Sequence, residues 1–167
     1  MARGLTLASL PLCPVSRRLK LAQQYRALTG KPLGITGEVA EYEAARILEV
    51  KLTPARQAGY DATESDNGEI RRLQIKGRCV PEGSKPGQRM GSIDVEKEID
   101  AVLLVLLDGN FEATAIYEAQ REPVVRALTR PGSKARNDRG ALGVSKFNSI
   151  GHLRWQRESV TQPGDQH

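Results

Sequence analysis

Aromatic side chains are few: one Trp, two Phe and four Tyr, 4% of 167 residues. A core must therefore be built from Leu, Val, Ile and Ala. A protein that holds single-stranded nucleic acid by stacking bases on aromatic platforms would have little to offer here. Cysteine is scarce too. Cys13 and Cys79 have no partner at metal-ligand spacing, and two thiols make no disulfide framework. Unpaired thiols are the default in a reducing cytoplasm, so a cytoplasmic setting is expected. His152 and His167 form no zinc signature, and His152 reads as a surface or half-buried histidine. No apolar stretch reaches membrane-spanning length, so no membrane partner is expected.

What is present is a composition that can bury a core: 39% apolar and 27% charged residues. The length fits one domain with short tails. At the start, Arg3 precedes an apolar run that Pro11 breaks, and no small-x-small cleavage site follows. This reads as a flexible tail, 1–15, rather than a signal peptide. A single α/β domain is expected over 16–157, with a disordered tail over 158–167.

Net charge is +5, unevenly spread. Residues 121–157 hold nine Lys or Arg against Glu122 and Asp138, a net of +7, so the remainder sums to −2. A polyanionic partner would explain this, and so would a basic surface that only aids solubility.

Periodicity predicts helices over about 17–28 and 36–49, the second with Val39, Ala40, Ala44, Ile47 and Leu48 on one face. A strand from Tyr60, a turn at Asp66-Asn67-Gly68 and a partner strand over 69–78 form a hairpin. Residues 80–91, with two Pro and three Gly, read as a loop. Seven consecutive apolar residues, 101–107, suit a central strand covered on both faces. A strand over 111–119, a short helix near 123–128, a basic loop over 130–140 and a last extended piece over 144–155 complete the order. The fold expected is α/β, with a mixed central sheet flanked by helices.

The most informative stretch is Arg72-Leu73-Gln74-Ile75-Lys76-Gly77-Arg78. Side chains alternate along a strand, so Leu73 and Ile75 point into a core while Arg72, Gln74, Lys76 and Arg78 share the other face. Burying an ammonium without a partner is costly. That face is therefore either open to solvent or lines a site that holds anions. The hairpin folds Asp61 back towards Leu73 and Gln74, bringing a carboxylate, an amide oxygen and a lysine together. Oxygen donors suit Mg²⁺. A lysine beside them can orient water and stabilise charge on a phosphate.

In order, Gly37-Glu38, Asp61 and Gln74-Ile75-Lys76 resemble the PD-(D/E)xK restriction-endonuclease-like superfamily, in a layout similar to Holliday-junction resolvases and to Mrr-type domains with Gln-x-Lys. The likeness covers 36 to about 107. It implies a restriction-endonuclease-like core, Mg²⁺ or Mn²⁺ as cofactor, and DNA as substrate. Carried over, Glu38 is the helix carboxylate that reaches the metal directly or through water. Asp61 is the central metal ligand, Gln74 the second, and Lys76 the catalytic lysine. Tyr60 stands where the family name has Pro. Gln74 replaces the usual Glu and removes one negative charge, which weakens metal binding.

Each residue has a plainer reading. Glu38 sits near a helix start, where the helix dipole favours an acid, and Glu41 is its rival for the role. Asp61 can end a turn, and Gln74 and Lys76 can be a solvated face. Asp100 reads as a strand-end residue. Arg78 suits a phosphate or an ion pair. Lys134, Arg136 and Arg139, in a Gly-containing loop, are candidates for sequence-independent DNA contacts. Two functions follow: a metal-dependent DNA endonuclease of repair, recombination or restriction, or the same fold with an impaired site that binds DNA or a protein. Duplex cleavage needs two sites, which a homodimer would supply.

Overall fold

Thr36–Leu48 forms helix α1, and Glu49 ends it in the left-handed region (φ 58°). Val39, Ala40, Glu43 and Ala44 are its buried positions, the i, i+1, i+4, i+5 spacing of one helical face. The structure is a computed structural model that describes residues 20–24, 27–28, 34–54, 59–132 and 134–158. The chain divides into two units, Met1–Ile35 and Thr36–His167. In the first, residues 20–24 and 27–28 are helical, and the rest of the helix expected over 17–28 lies outside the described residues. So do the expected tails, apart from Glu158.

The second unit is an α/β fold with a six-stranded mixed sheet flanked by helices. The strands follow chain order: β1 (Lys51–Leu52), β2 (Ala62–Asp66), β3 (Glu69–Cys79), β4 (Ala101–Leu107), β5 (Ala113–Gln120) and β6 (His152–Gln156). Among the described strands only β3 and β4 run parallel. The β2–β3 hairpin turns at Asn67 (φ 50°) and Gly68 (φ 87°), the two positive φ values that a two-residue type I′ turn requires.

Strand β4 is buried along almost its whole length, as seven apolar residues in a row suggested. Leu103 and Val105 lie level with Ile75 and Gly77, on the face covered by α1. Gly77 is obligatory there. A Cβ at that position would stand 2.6 Å from the Ala40 Cβ and 2.6 Å from the Thr36 carbonyl oxygen. On the other face, Val102 and Leu104 join a core with Met90, Ile93, Ile99, Val124, Leu128, Leu142 and Phe147. Each such Leu, Ile or Phe contributes about 1.5–3 kcal/mol on full burial.

That second core is closed by helix α2 (Arg121–Thr129) and, beyond the short α3 (Lys134–Asn137), by α4 (Val144–Ile150). The extended piece expected over 144–155 is therefore a helix followed by a strand. Gly143 and Gly151 flank the helix, and it buries Phe147. Gly151 admits a tight return, because a Cβ there would be 2.5 Å from the Glu118 carbonyl oxygen. Among the described residues no helix is long and apolar enough to cross a membrane.

Candidate active site

Strand β2 stops at Ala62, paired with Leu73, while β3 runs on to Cys79. The N–H of Ile75 points to the side where a longer β2 would have supplied a carbonyl. The Asp61 carboxylate fills that place, accepting from Ile75 N–H through Oδ2 at 2.7 Å. The Asp61 backbone is clamped on both sides. Its N–H donates to Leu73 O at 2.8 Å, and its carbonyl accepts from the Thr53 N–H and hydroxyl, each at 3.0 Å. The carboxylate is thus fixed at the opening of the sheet, between the positions of Gln74 and Lys76. One oxygen is held by the strand.

The four polar residues on the alternate face of β3 are answered by one segment, 88–100. Arg72 donates to Asp100 from its backbone (2.7 Å) and its Nε (3.2 Å), and to Glu98 from Nη1 (2.7 Å). Those bonds hold the Asp100 carboxyl below the usual range, so Asp100 is a strand-end residue that tethers Arg72. Gln74 is 3% exposed, and its Oε1 accepts from the Asp94 N–H at 3.3 Å. Arg78 donates to the Gln88 side chain, through Nε at 3.0 Å and also through Nη2.

Lys76 stands among charges. Burial pushes its ammonium below the ordinary lysine range and Lys97 adds to this, while Asp61, Asp94 and Glu41 pull the other way. Asp94 and Lys97 form a loose pair at 3.8 Å. The Lys97 stem lies over Gly59, where a Cβ would be 2.7 Å away. Neither residue stood out in the sequence. The signal available was the charged run 94–98 just ahead of the apolar strand.

The helix carboxylate that senses both Asp61 and Lys76 is Glu41. Burial raises its pKa, the charges of Asp61 and Glu38 raise it further, and Lys76 lowers it. Glu38 is exposed one turn earlier on the same flank of α1 and acts on Glu41. A raised carboxyl pKa means that Glu41 destabilises the fold once pH rises past its unfolded value. Glu41→Gln is therefore expected to raise Tm by roughly 2 °C at neutral pH in chelator. Millimolar Mg²⁺ should stabilise the wild type more than this variant, because a ligand of the folded state raises its stability by mass action. Equal Mg²⁺ shifts in the two proteins would remove Glu41 from any metal site.

Do these residues suit a divalent cation? The donors are hard oxygens: the remaining lone pairs of Asp61, the Glu41 carboxylate, and the second lone pair of the Gln74 amide oxygen. Among the described residues no three His, Cys, Asp or Glu side chains form a metal-binding group. Mg²⁺ is commonly held by one or two carboxylates with water and substrate phosphate completing its shell, and this donor set fits that mode.

The residues singled out in the basic half lie apart from this cluster in sequence and differ in how they are used. Arg136 spends Nη2 on the carbonyls of Arg130 and Pro131, the latter at 2.8 Å, which closes the end of α2. Lys134 and Arg139 are exposed. Arg139 and Arg136 line a cavity of about 620 Å³ together with Asp94 and Glu96, so the cavity wall is shared with the segment that answers Gln74 and Lys76. Part of the positive charge is neutralised within the fold: Arg126 pairs with Glu122, Arg154 with Glu64 and Glu118, and Arg157 with Asp108 and Glu112. No protein-family model matches the chain, and no curated protein matches it.

Proposed function

We propose that the chain is a Mg²⁺-dependent DNA endonuclease with a PD-(D/E)xK-like site made of Asp61, Gln74, Lys76 and a carboxylate of α1, Glu41 with Glu38 beside it. The observation that carries this reading is the Asp61 carboxylate, pinned to Ile75 N–H between Gln74 and Lys76, in a half-buried cluster where it acts on both Lys76 and Glu41.

Asp61, Glu41 and the Gln74 oxygen would hold the cation, which when bound supplies positive charge at the phosphate and an acidified water. The chain's own part is positional. Lys76 directs its N–H donors at the attacking water and the non-bridging phosphate oxygens, where negative charge grows as the P–O bond breaks. The negative charge of Asp61 favours the ammonium form of Lys76. Asp94, tied to Gln74, and Lys97 close the site on the 88–100 side. Mn²⁺ has the same oxygen preference and would serve as a substitute. Cutting both strands of a duplex would need two such sites, hence two copies. The Cys79 thiol, donating to Asp108 O at 3.0 Å, is compatible with a reducing cytoplasm.

The test is direct. Purified protein with supercoiled plasmid should nick it in millimolar Mg²⁺ or Mn²⁺ and stop on addition of chelator, and Asp61→Asn should abolish nicking. Asn keeps an acceptor for Ile75 N–H, so the loss would report the missing charge and not unfolding. A second reading, a module of the same fold that binds DNA without cutting it, is favoured by one observation: the amide oxygen at Gln74 already serves Asp94. DNA binding without nicking in either metal would establish that reading instead.

A further inference from the structure

We infer that a second, wholly basic pocket, lined by Arg89, Arg136 and Lys146, grips a phosphate of the DNA backbone away from the bond that is cut. The inference rests on the nuclease reading only for the identity of the polyanion.

The pocket has a volume of about 340 Å³, and its remaining walls are Gly87, Ala141, Leu142 and Gly143. No carboxylate lines it, whereas the larger cavity that also contains Arg136 carries Asp94, Glu96 and Asp138. Two distant segments are zipped together to build it. Arg89 bridges Gly143, Met90 N–H donates to Leu142 O at 3.0 Å, and Val144 N–H donates to Gln88 O at 2.9 Å. That ribbon fixes Arg89 near the first turn of α4, which carries Lys146.

Arg89 and Lys146 are both exposed, and neither has a carboxylate partner among the described residues. Arg89 makes one weak bond to Ala141 O at 3.3 Å, which leaves most of its fork unused. Arg136 cannot swing away, because Nη2 is tied to the end of α2, while its Nε is buried without an acceptor. Three like charges held together repel one another unless an anion sits among them. Gly87, at φ 86°, and Gly143 give that anion a floor without side chains. A phosphodiester group suits such a pocket: it is anionic, offers several acceptors, and needs no base-specific contact. Elsewhere in 121–157, Arg126, Arg154 and Arg157 are paired with carboxylates, whereas the two exposed cations of this pocket are not, among the described residues.

The experiment measures binding of a labelled duplex by fluorescence anisotropy in chelator, so that cleavage does not intrude. Arg89→Ala/Lys146→Ala should weaken binding about tenfold at near-physiological salt and reduce the slope of log K against log salt by about 2. The charge-retaining Arg89→Lys/Lys146→Arg should stay within about threefold of wild type, as expected for a phosphate contact. Arg126→Ala removes one charge from the exposed face of α2 and should change affinity less than about twofold. Inorganic phosphate at constant ionic strength should compete with DNA on the wild type and not on the double variant. Unchanged DNA affinity in the double variant overturns the proposal. So does an equal loss in Arg126→Ala, which would mean net charge alone. Phosphate binding that is lost in the double variant without loss of DNA affinity assigns the pocket to a small phosphate ligand and overturns the DNA assignment. Failure of the nuclease reading looks different: no metal-dependent nicking by the wild type, with the binding loss in the double variant intact.

Discussion

Lys76→Ala is expected to bind duplex DNA as tightly as the wild type and to cut it at least about a hundredfold more slowly, the usual loss for one charge-stabilising contact in the transition state. The effect should fall on rate alone. Among the described residues the Lys76 side chain has no hydrogen-bond partner, and burial with the nearby Lys97 charge already disfavours its ammonium. Its removal should leave Tm unchanged or slightly higher, so lost activity cannot be put down to unfolding. Divalent-ion binding, read as a Mg²⁺-induced rise in Tm, should also persist, since lysine acts on water and phosphate. Gln74→Glu makes the complementary case. It keeps an acceptor for Asp94 N–H and adds a negative charge beside Asp61, so it should tighten metal binding and keep or raise the rate. A contaminating nuclease would ignore both substitutions. Equal trace activity in the wild type and Lys76→Ala, across metals and DNA forms, would leave only the binding module.

The parts of this site that could be read in the sequence are those set by a strand's two-residue period. Alternation alone put Gln74 and Lys76 on the face opposite Leu73 and Ile75, and the Asn67-Gly68 turn fixed the register that returns Asp61 to them. The apolar run of β4 announced its own burial on both faces. What the sequence left open depends on docking. Whether Glu38 or Glu41 comes nearer Lys76 follows from how α1 rotates onto the sheet, and that is set by the close approach of Gly77 to Ala40 and Thr36. Asp94 and Lys97 sit in an irregular segment with no period to read. Helix α4 was missed because seven residues with one fully buried aromatic hardly express a 3.6-residue pattern. The surplus of basic residues was the most deceptive feature. Arg154 and Arg157 find their acids 36 to 90 positions away in the chain, and no local window reveals such pairing.

That long-range pairing makes Glu118→Ala the substitution expected to harm stability most. Glu118 is 1% exposed in the sheet and accepts from Arg71 and Arg154, with Gln120 Nε2 adding a bond at 2.8 Å. The same two arginines also bind Glu64, at 3.0 and 2.8 Å. Strands β2, β3, β5 and β6 are thereby joined on the same face of the sheet as α1, where Glu118 lies level with Leu103. Burial pushes the Glu118 carboxyl up, but the hydrogen bonds and charges of Arg71 and Arg154 more than offset this and hold it below the ordinary glutamate range. Truncation leaves two partly buried guanidinium groups sharing a single acid, at a cost of about 3 kcal/mol, or roughly 10 °C in Tm for a chain of this size. Glu118→Gln separates charge from packing. A carboxyl whose folded pKa is depressed contributes stability that is complete above its unfolded pKa of about 4.3 and is lost as pH falls through the lower folded value. The deficit of the Gln variant in urea melts should therefore be full at neutral pH and shrink steadily in acid below about pH 4. A deficit that stays constant on acidification would assign Glu118 to packing alone. Activity per folded molecule should not change in either variant, because this network neither contacts Asp61 nor lines the basic pocket.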